Sequence, residues 1–474
     1  MRAGPNAMLN VANAVSGREK LAGVRRLLFG VKAERLFRQT VGALLGNESL
    51  VGPCHLCHVR FKPGHKLTAY YDVSVEGHGS RPVAAIWRGR PGGARRQAQD
   101  QLFAIHADAA ARGLLAPFRA LAAESPERHL QVQVAPLDLD FPQLVRVFDR
   151  RYAIERLAAA GDASWDAPDE SFTRRTGVRF IRYRPGLRHL VRYEPPSRGK
   201  VAPVFAKLSP PHDSARAFRV STALHHWLAS ERTPVTCPRP LAFSAADSAV
   251  LYPEVAGLPL VERLRRPSQD AMQWVRRAGE ALSVLHRAPQ SVTEGLALHD
   301  FSSELDVIEQ ASAFLHALLP RAGATIRALL ESARELHPML PEEPPTGTHG
   351  DLKVEHLWVT ESGLTVIDFD TCALSDPALD LGTFLADLRV CYSTHDLPGM
   401  EEAQRHFLEG YSSGAPDGRL MRGRLYEALE IVKLVARRVQ LFDEQWASHT
   451  EELVGSARLV MQRVRETLGA PAVG

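Results

Sequence analysis

Thr348-His349-Gly350-Asp351-Leu352-Lys353-Val354-Glu355-His356, followed shortly by Ile367-Asp368-Phe369-Asp370, decides the reading of this 474-residue chain. Asp351 stands in a short loop ahead of the apolar run Leu357, Trp358 and Val359. Asp368 closes the next apolar run, Leu364, Val366 and Ile367. Ser362-Gly363 supplies a turn between the two runs, so they read as a β-hairpin with Asp351 and Asp368 at the same end. Paired carboxylates of this kind suit phosphoryl transfer from a nucleotide. One orients the attacking hydroxyl, and the other holds the magnesium that bridges the phosphates.

These residues carry a resemblance. His349-Gly350-Asp351 with a polar residue at 356 resembles the catalytic loop of the aminoglycoside phosphotransferase and choline kinase family, and Ile367-Asp368-Phe369 resembles its metal-binding strand end. Ser375-Asp376-Pro377-Ala378-Leu379-Asp380-Leu381-Gly382 is similar to the family's next signature, which opens a helix. Three ordered signatures within a short span are far more specific than any one of them. The resemblance covers about 170 to 445. It implies an α+β, two-lobed protein-kinase-like fold: a small antiparallel-sheet N-lobe and a mainly helical C-lobe. ATP and Mg2+ are the implied cofactors and a small-molecule hydroxyl the implied acceptor, with Asp351 as catalytic base and Asp368 as metal ligand.

Two positions depart from the family. At 356 the usual metal-binding Asn is replaced by His356, which either ligates the metal, binds a phosphate oxygen, or packs. Asp370 stands where kinases have Gly, as a second metal ligand or as a solvated acid capping the next segment. By the same resemblance His349 holds the loop backbone, Asp380 anchors the catalytic loop, Asp376 suits a helix N-cap, and His286 packs or caps.

An internal repeat organises the rest. Val59-Arg60-Phe61-Lys62-Pro63-Gly64-His65-Lys66-Leu67 and Ile181-Arg182-Tyr183-Arg184-Pro185-Gly186-Leu187-Arg188-His189 are close copies. Each reads as strand, type II Pro-Gly turn, strand. The later copy leads into Val204-Phe205-Ala206-Lys207-Leu208, and Lys207 resembles the strand lysine that grips nucleotide phosphates. Arg182, Arg184 and Arg188 then sit over the nucleotide in place of a glycine loop, or form a solvated basic surface. The earlier copy has Ile86 and Trp87 near the lysine's place and no second catalytic loop, so it reads as a degenerate half-lobe. Cys54-His55-Leu56-Cys57-His58 matches a haem-attachment string and half of a zinc site, but its counterpart Thr176-Gly177-Val178-Arg179-Phe180 carries no ligand, so it reads as strand entry.

Apolar spacing predicts helix between about 3 and 45, and again between about 94 and 121. A lobe-bridging helix is expected over 213 to 229, without the Glu that normally pairs with the lysine; Glu194 is a candidate substitute. Val255 lies in the stretch that resembles the hinge between lobes, where backbone groups meet the adenine edge. The acidic, turn-rich stretch 161–170 suggests a boundary. The expected domains are 1–165, an α+β cap with the degenerate half-lobe hairpin; 166–255, the kinase-like N-lobe; and 256–474, the helical C-lobe.

Composition narrows the class. With 58 basic and 54 acidic residues the formal charge is +4, and no long basic block argues for nucleic acid. No apolar run approaches a membrane span and no secretory pattern opens the chain, so a cytoplasmic protein without nucleic-acid or membrane partners is expected. Five scattered cysteines form no disulfide framework. The alternative reading is a kinase-like nucleotide-binding protein with impaired turnover; sugar, aminoglycoside and other alcohols all stay open as acceptors.

Overall fold

The computed structural model describes residues 10–89, 96–161, 165, 170–196, 202–231, 233–266, 269–412, 414–438 and 443–470. Most of the acidic stretch expected as a boundary lies outside these described residues. Two five-stranded antiparallel sheets follow one another along the chain. The first contains β1 (Val51–Lys62), β2 (Lys66–Val75), β3 (Gly79–Arg88), β4 (Ala122–Ser125) and β5 (Leu130–Val134), in the order β1-β2-β3-β5-β4. The second contains β6 (Gly177–Arg184), β7 (Arg188–Glu194) and β8 (Val204–Leu208). After β9 (Val235–Thr236) it is completed by β10 (Ala242–Ser244) and β11 (Ala249–Pro253), in the order β6-β7-β8-β11-β10.

The two sheets follow the same path. Each is a three-stranded meander, then a helix, then two strands of which the later joins the meander first. The helices are Arg96–Ala111 and Pro211–Ser230. Register matches as well: Lys62 faces Lys66 as Arg184 faces Arg188, and Thr68 faces Ile86 as Leu190 faces Lys207. Ile86 therefore occupies the topological place of Lys207. The expected half-lobe is larger than anticipated, because it also contains β4, which is short and unpatterned, and β5, whose Leu-Gln-Val-Gln-Val alternation is a strand signal that went unused. The helix expected to reach about 121 stops at Ala111, before Gly113 and Pro117, and leaves room for β4. Cys54 and Cys57 both lie within β1, as strand entry required, and all five cysteines are free.

The first sheet is held on both faces. One face packs with the helices Val11–Ser16, Lys20–Phe29 and Val31–Leu45, and that core runs on into Phe301–Leu318, Pro320–Leu336, Asp417–Arg437 and Trp446–Thr467 of the C-terminal half. The other face contributes Tyr70 and Ala84 to a core shared with Tyr183, Val191, Tyr193 and Ala206 of the second sheet. The N-terminal half thus packs against both lobes that follow it, not only against the N-lobe sheet.

Beyond the second sheet, β12 (Leu258–Pro259) lies in a four-stranded sheet, and β13 (Thr346–Thr348) opens the segment that carries Asp351. The hairpin β14 (Leu357–Thr360) and β15 (Gly363–Val366) is antiparallel, with Thr360 facing Gly363, so Glu361-Ser362 forms the turn, one residue earlier than expected. β16 (Ala373–Ser375) pairs back onto β13. The helices Gln269–Leu285, Ala378–Thr394 and Met400–Tyr411 enclose a separate core with β14 and β15. No helix among the described residues is long and apolar enough to cross a membrane.

Candidate active site

The β13–β16 ladder sets the site, since Thr348 faces Ala373 and the loops carrying Asp351 and Asp368 leave it side by side. Gly350 adopts φ +76°, and a side chain there would press to 2.5 Å from the Thr371 carbonyl; only glycine fits. Thr371 Oγ1 donates to the His349 carbonyl at 3.0 Å, and His349 Nε2 donates to the Ile367 carbonyl at 3.0 Å. The two loops are stitched together before any side chain faces the cleft.

Asp380 holds the first of these loops. It is fully buried in the first turn of helix Ala378–Thr394 and accepts from the His349 and Gly350 N–H groups at 2.7 and 2.8 Å. His286 Nε2 donates to the same carboxylate at 3.1 Å, and Tyr411 Oη lies 2.8 Å from His286 Nδ1. Burial alone would raise the Asp380 carboxyl, but the bond and charge of His286, followed by the charge of His349, keep it below its ordinary value. Asp376 accepts the Ala378 N–H at 2.9 Å and binds Arg422 at 2.7 Å, so it caps the helix as expected.

Asp351 faces cations. Lys353 Nζ lies 2.7 Å from one carboxylate oxygen and 2.8 Å from the other, and Arg437 lies at 3.9 Å. Burial would raise Asp351, but Lys353 and then His356 pull its carboxyl below the usual value and keep it ionised at neutral pH. Lys353 was not singled out from the sequence, although a lysine two places after Asp351 is legible there as a local partner for that carboxylate. Arg437 lies too far along the chain to be placed without the fold.

Asp368 takes a left-handed backbone, φ +72°, uncommon for a residue with a side chain and a form of strain that concentrates at functional sites. Its Oδ1 lies 2.5 Å from Lys207 Nζ, and Asp370 Oδ2 lies 2.7 Å from the same ammonium. Burial would lower Lys207, but Asp368 and then Asp370 raise it. Burial would raise Asp368, but Lys207 and then His356 hold it far below the carboxylate range. Asp370 is therefore not a solvated loop acid. It pairs with Lys207 and stands in for the acid missing from helix Pro211–Ser230. The helix contributes Arg216 instead, which donates to the Asp370 carbonyl at 2.8 Å. Glu194 pairs with Arg179 and Arg192, so the substitute partner expected there is wrong.

His356 Nδ1 lies 2.8 Å from the Asp351 carbonyl, which can only accept, so the proton is on Nδ1. Nε2 then faces Asp368 Oδ2 at 3.5 Å. Arg182, Arg184 and Arg188 share the sheet face of Lys207, two residues apart or directly across the β6–β7 ladder. Burial lowers Arg182, then Arg188, while Asp368, Glu355 and Asp370 counter it. Burial, followed by Arg182 and Arg188, pushes Arg184 down to about 10. Val255 lies in the four-residue link between β11 and β12. Lys207, Asp368 and His356 are brought together; Asp351 joins them through its backbone carbonyl, which accepts from the His356 imidazole; Arg184 and Val255 lie on the sheet and link above.

Residues 196–421 match the model of the phosphotransferase enzyme family, APH. The match takes in Lys207, Asp351, His356 and Asp368 and begins just after the β6–β7 hairpin. Solved structures of low similarity include the GDP and kanamycin complex of APH(2")-IIia, at 17% identity and TM-score 0.46, covering 64% of this chain and 99% of that one. A choline/ethanolamine kinase family protein from Mesorhizobium loti aligns at 15% identity and TM-score 0.45, covering 67% and 97%. Plasmodium vivax ethanolamine kinase aligns at 13% identity and TM-score 0.44, covering 66% and 90%. No curated protein matches the sequence.

Proposed function

We propose that the chain is an ATP-dependent phosphotransferase that moves the γ-phosphate onto a hydroxyl of a small molecule, a sugar, aminoglycoside or other alcohol. The observation that carries this reading is the pair of loops stitched side by side. One presents an ionised Asp351 and the other presents Asp368 against Lys207. The low-turnover reading rests on the missing helix Glu and on His356 in place of Asn; Asp370, 2.7 Å from Lys207, answers the first of these.

In this reading the acceptor hydroxyl donates to Asp351, its oxygen bonds to the γ-phosphorus, the bond to the leaving ADP oxygen breaks, and the proton passes late to the Asp351 carboxylate. Lys353 keeps that carboxylate ionised and fixes its orientation. Lys207, Arg182, Arg184 and Arg188 offset the phosphate charge, and the link at Val255 borders the base. Asp368 and His356 Nε2, once that nitrogen has given up its proton, would make a mixed oxygen and nitrogen donor pair that fits a divalent cation. Magnesium held there would supply charge neutralisation between the phosphates. The N-terminal half, 1–165, is read as a cap, 166–255 as the N-lobe and 256–474 as the C-lobe.

The test is ATP consumption by purified protein with magnesium, screened against sugars, amino alcohols and aminoglycosides. Asp351→Asn is then compared on the acceptor found. A fall of about a hundredfold or more in turnover, with Mg-ADP affinity within a few fold, is expected, since the amide keeps the shape but takes no proton. Wild-type turnover in the variant would refute Asp351 as the base.

A further inference from the structure

The β6–β7 turn that carries Arg184 and Arg188 is not free at its tip. Gly186, at φ +74°, donates its N–H to Asp138 Oδ2 at 2.8 Å, and Asp138 belongs to the segment that leaves the first sheet. His189 Nε2 lies 2.7 Å from the same oxygen, and because a carboxylate only accepts, this nitrogen carries the proton. The other oxygen, Oδ1, accepts the Asp140 N–H at 2.9 Å and fixes the carboxylate's own rotamer. Asp138 and His189 are both almost fully buried, and the imidazole lies among Phe141, Phe180 and Tyr183. Tyr183 also donates to the Leu137 carbonyl.

The repeated sheet offers an internal comparison. In the first hairpin the corresponding Gly64 N–H is taken by the carbonyl of Val15, from the same half of the chain. In the second it is taken by a charged group from outside the lobe. A turn glycine's N–H is the group that nucleotide-covering loops commonly offer to phosphate. Here it is occupied, so arginine side chains are left to meet the phosphates, and their aim depends on where Asp138 holds the turn.

We propose that Asp138 is a positioning residue for nucleotide binding: the N-terminal half clamps the phosphate-covering turn through Asp138, and so forms part of the nucleotide site without touching the nucleotide. This rests on the reading of Lys207 and the arginine turn as the nucleotide seat.

A matched control exists in the same structure. Asp247, equally buried in the β10–β11 turn, also ties the two halves together, through Arg146 at 2.6 Å and Tyr152 at 2.8 Å, but on the far edge of the sheet. Calorimetric titration of the full chain with Mg-ADP, together with the KM for Mg-ATP, separates the two roles. Asp138→Ala is expected to weaken Mg-ADP binding about tenfold and to raise the KM for Mg-ATP with a smaller change in kcat, while Asp247→Ala loses comparable thermal stability and stays within twofold. Asp138→Asn, whose amide oxygen can still accept from Gly186, is expected to recover most of the loss. If Asp138→Ala does not fold, Asp138→Ser serves in its place, since its shorter hydroxyl reaches the Asp140 N–H but not Gly186. Equal affinities for the Asp138 and Asp247 variants would overturn the proposal. Lys207→Ala in the same titration separates the causes. If it also leaves affinity unchanged, the nucleotide seat itself is wrong and the clamp falls with it; if it weakens binding while Asp138→Ala does not, the clamp alone is wrong.

Discussion

Asp380→Asn alters one buried group and tests how firmly the catalytic loop is built. In the native protein one carboxylate oxygen serves the His349 N–H and His286, and the other serves the Gly350 N–H. The best asparagine rotamer keeps its oxygen on the first pair and turns its NH2 toward the Gly350 N–H. That N–H is then buried without an acceptor, at about 1–3 kcal/mol. The two surviving bonds fall from charge-assisted to neutral, at about 1 kcal/mol each. A total loss of about 3–5 kcal/mol follows, a large part of the ~5–15 kcal/mol typical of a folded domain. Turnover is expected to drop about a hundredfold, since a displacement near 1 Å at the reacting group costs that much, with Mg-ADP affinity little changed. Urea unfolding read by two probes gives the stability, and initial rates give the turnover. The pH dependence has a definite sign. The folded carboxyl lies below its ordinary value, so the stability it adds is present above the unfolded value of about 3.9 and is lost as pH falls through the lower folded value. The gap between wild type and variant should be flat from about pH 6 to 8 and narrow below about pH 4. A loss under about 1 kcal/mol at neutral pH would refute the account of the loop.

Two further outcomes follow from buried groups. Glu430, fully buried beside Lys433 and Glu304, is raised by burial to about 8, so between its ordinary value and about 8 the folded chain holds a proton that the unfolded chain has lost. Stability from this group falls as pH rises through that window, and Glu430→Gln, which mimics the protonated form, should flatten the slope by up to about 1.4 kcal/mol per pH unit; an unchanged slope in melts from pH 5 to 8 speaks against it. His356→Asn can keep a donor for the Asp351 carbonyl and offers an oxygen where Nε2 now faces Asp368. It should hold turnover within a few fold and shift preference from manganese toward magnesium, while loss of turnover with both ions would mean that the imidazole has another task.

What the sequence made legible was chemistry confined to short segments. The hairpin, Asp351, Asp368, the strand lysine and the Asp380 anchor all sit in local patterns whose residue types have few alternative uses. The partner of Lys207 was missed because an acid two residues beyond Asp368 looks solvated until the fold turns it 2.7 Å from the ammonium. Glu194 looked suitable by adjacency, but two arginines of its own hairpin had already claimed it. Arg437 could not be found either, because its approach to Asp351 depends on how a late helix packs. Strand β4, Ala-Ala-Glu-Ser, carries no alternation to register, whereas β5, Leu-Gln-Val-Gln-Val, alternates strictly and was legible but overlooked.

The duplicated sheet shows which parts of a lobe the chemistry needs and which the fold needs. Both copies keep the meander, the helix, the Pro-Gly turn and the like-charged pair that flanks it. Like charges directly across a ladder are unfavourable, and in both copies the pair sits at the hairpin end, where solvent reaches it; in the second copy Arg188 also lowers Asp368. Only the second copy has a lysine in the third strand; Ile86 fills that position in the first and points no cation at a cleft. Both faces of the first copy are given to packing. Tyr70 and Ala84 enter a shared core with Tyr183 and Val191, and its other face joins the core of the C-terminal helices. Its removal would bare apolar surface on both lobes at once, so the N-terminal half is a structural member of the enzyme's scaffold rather than an appended domain.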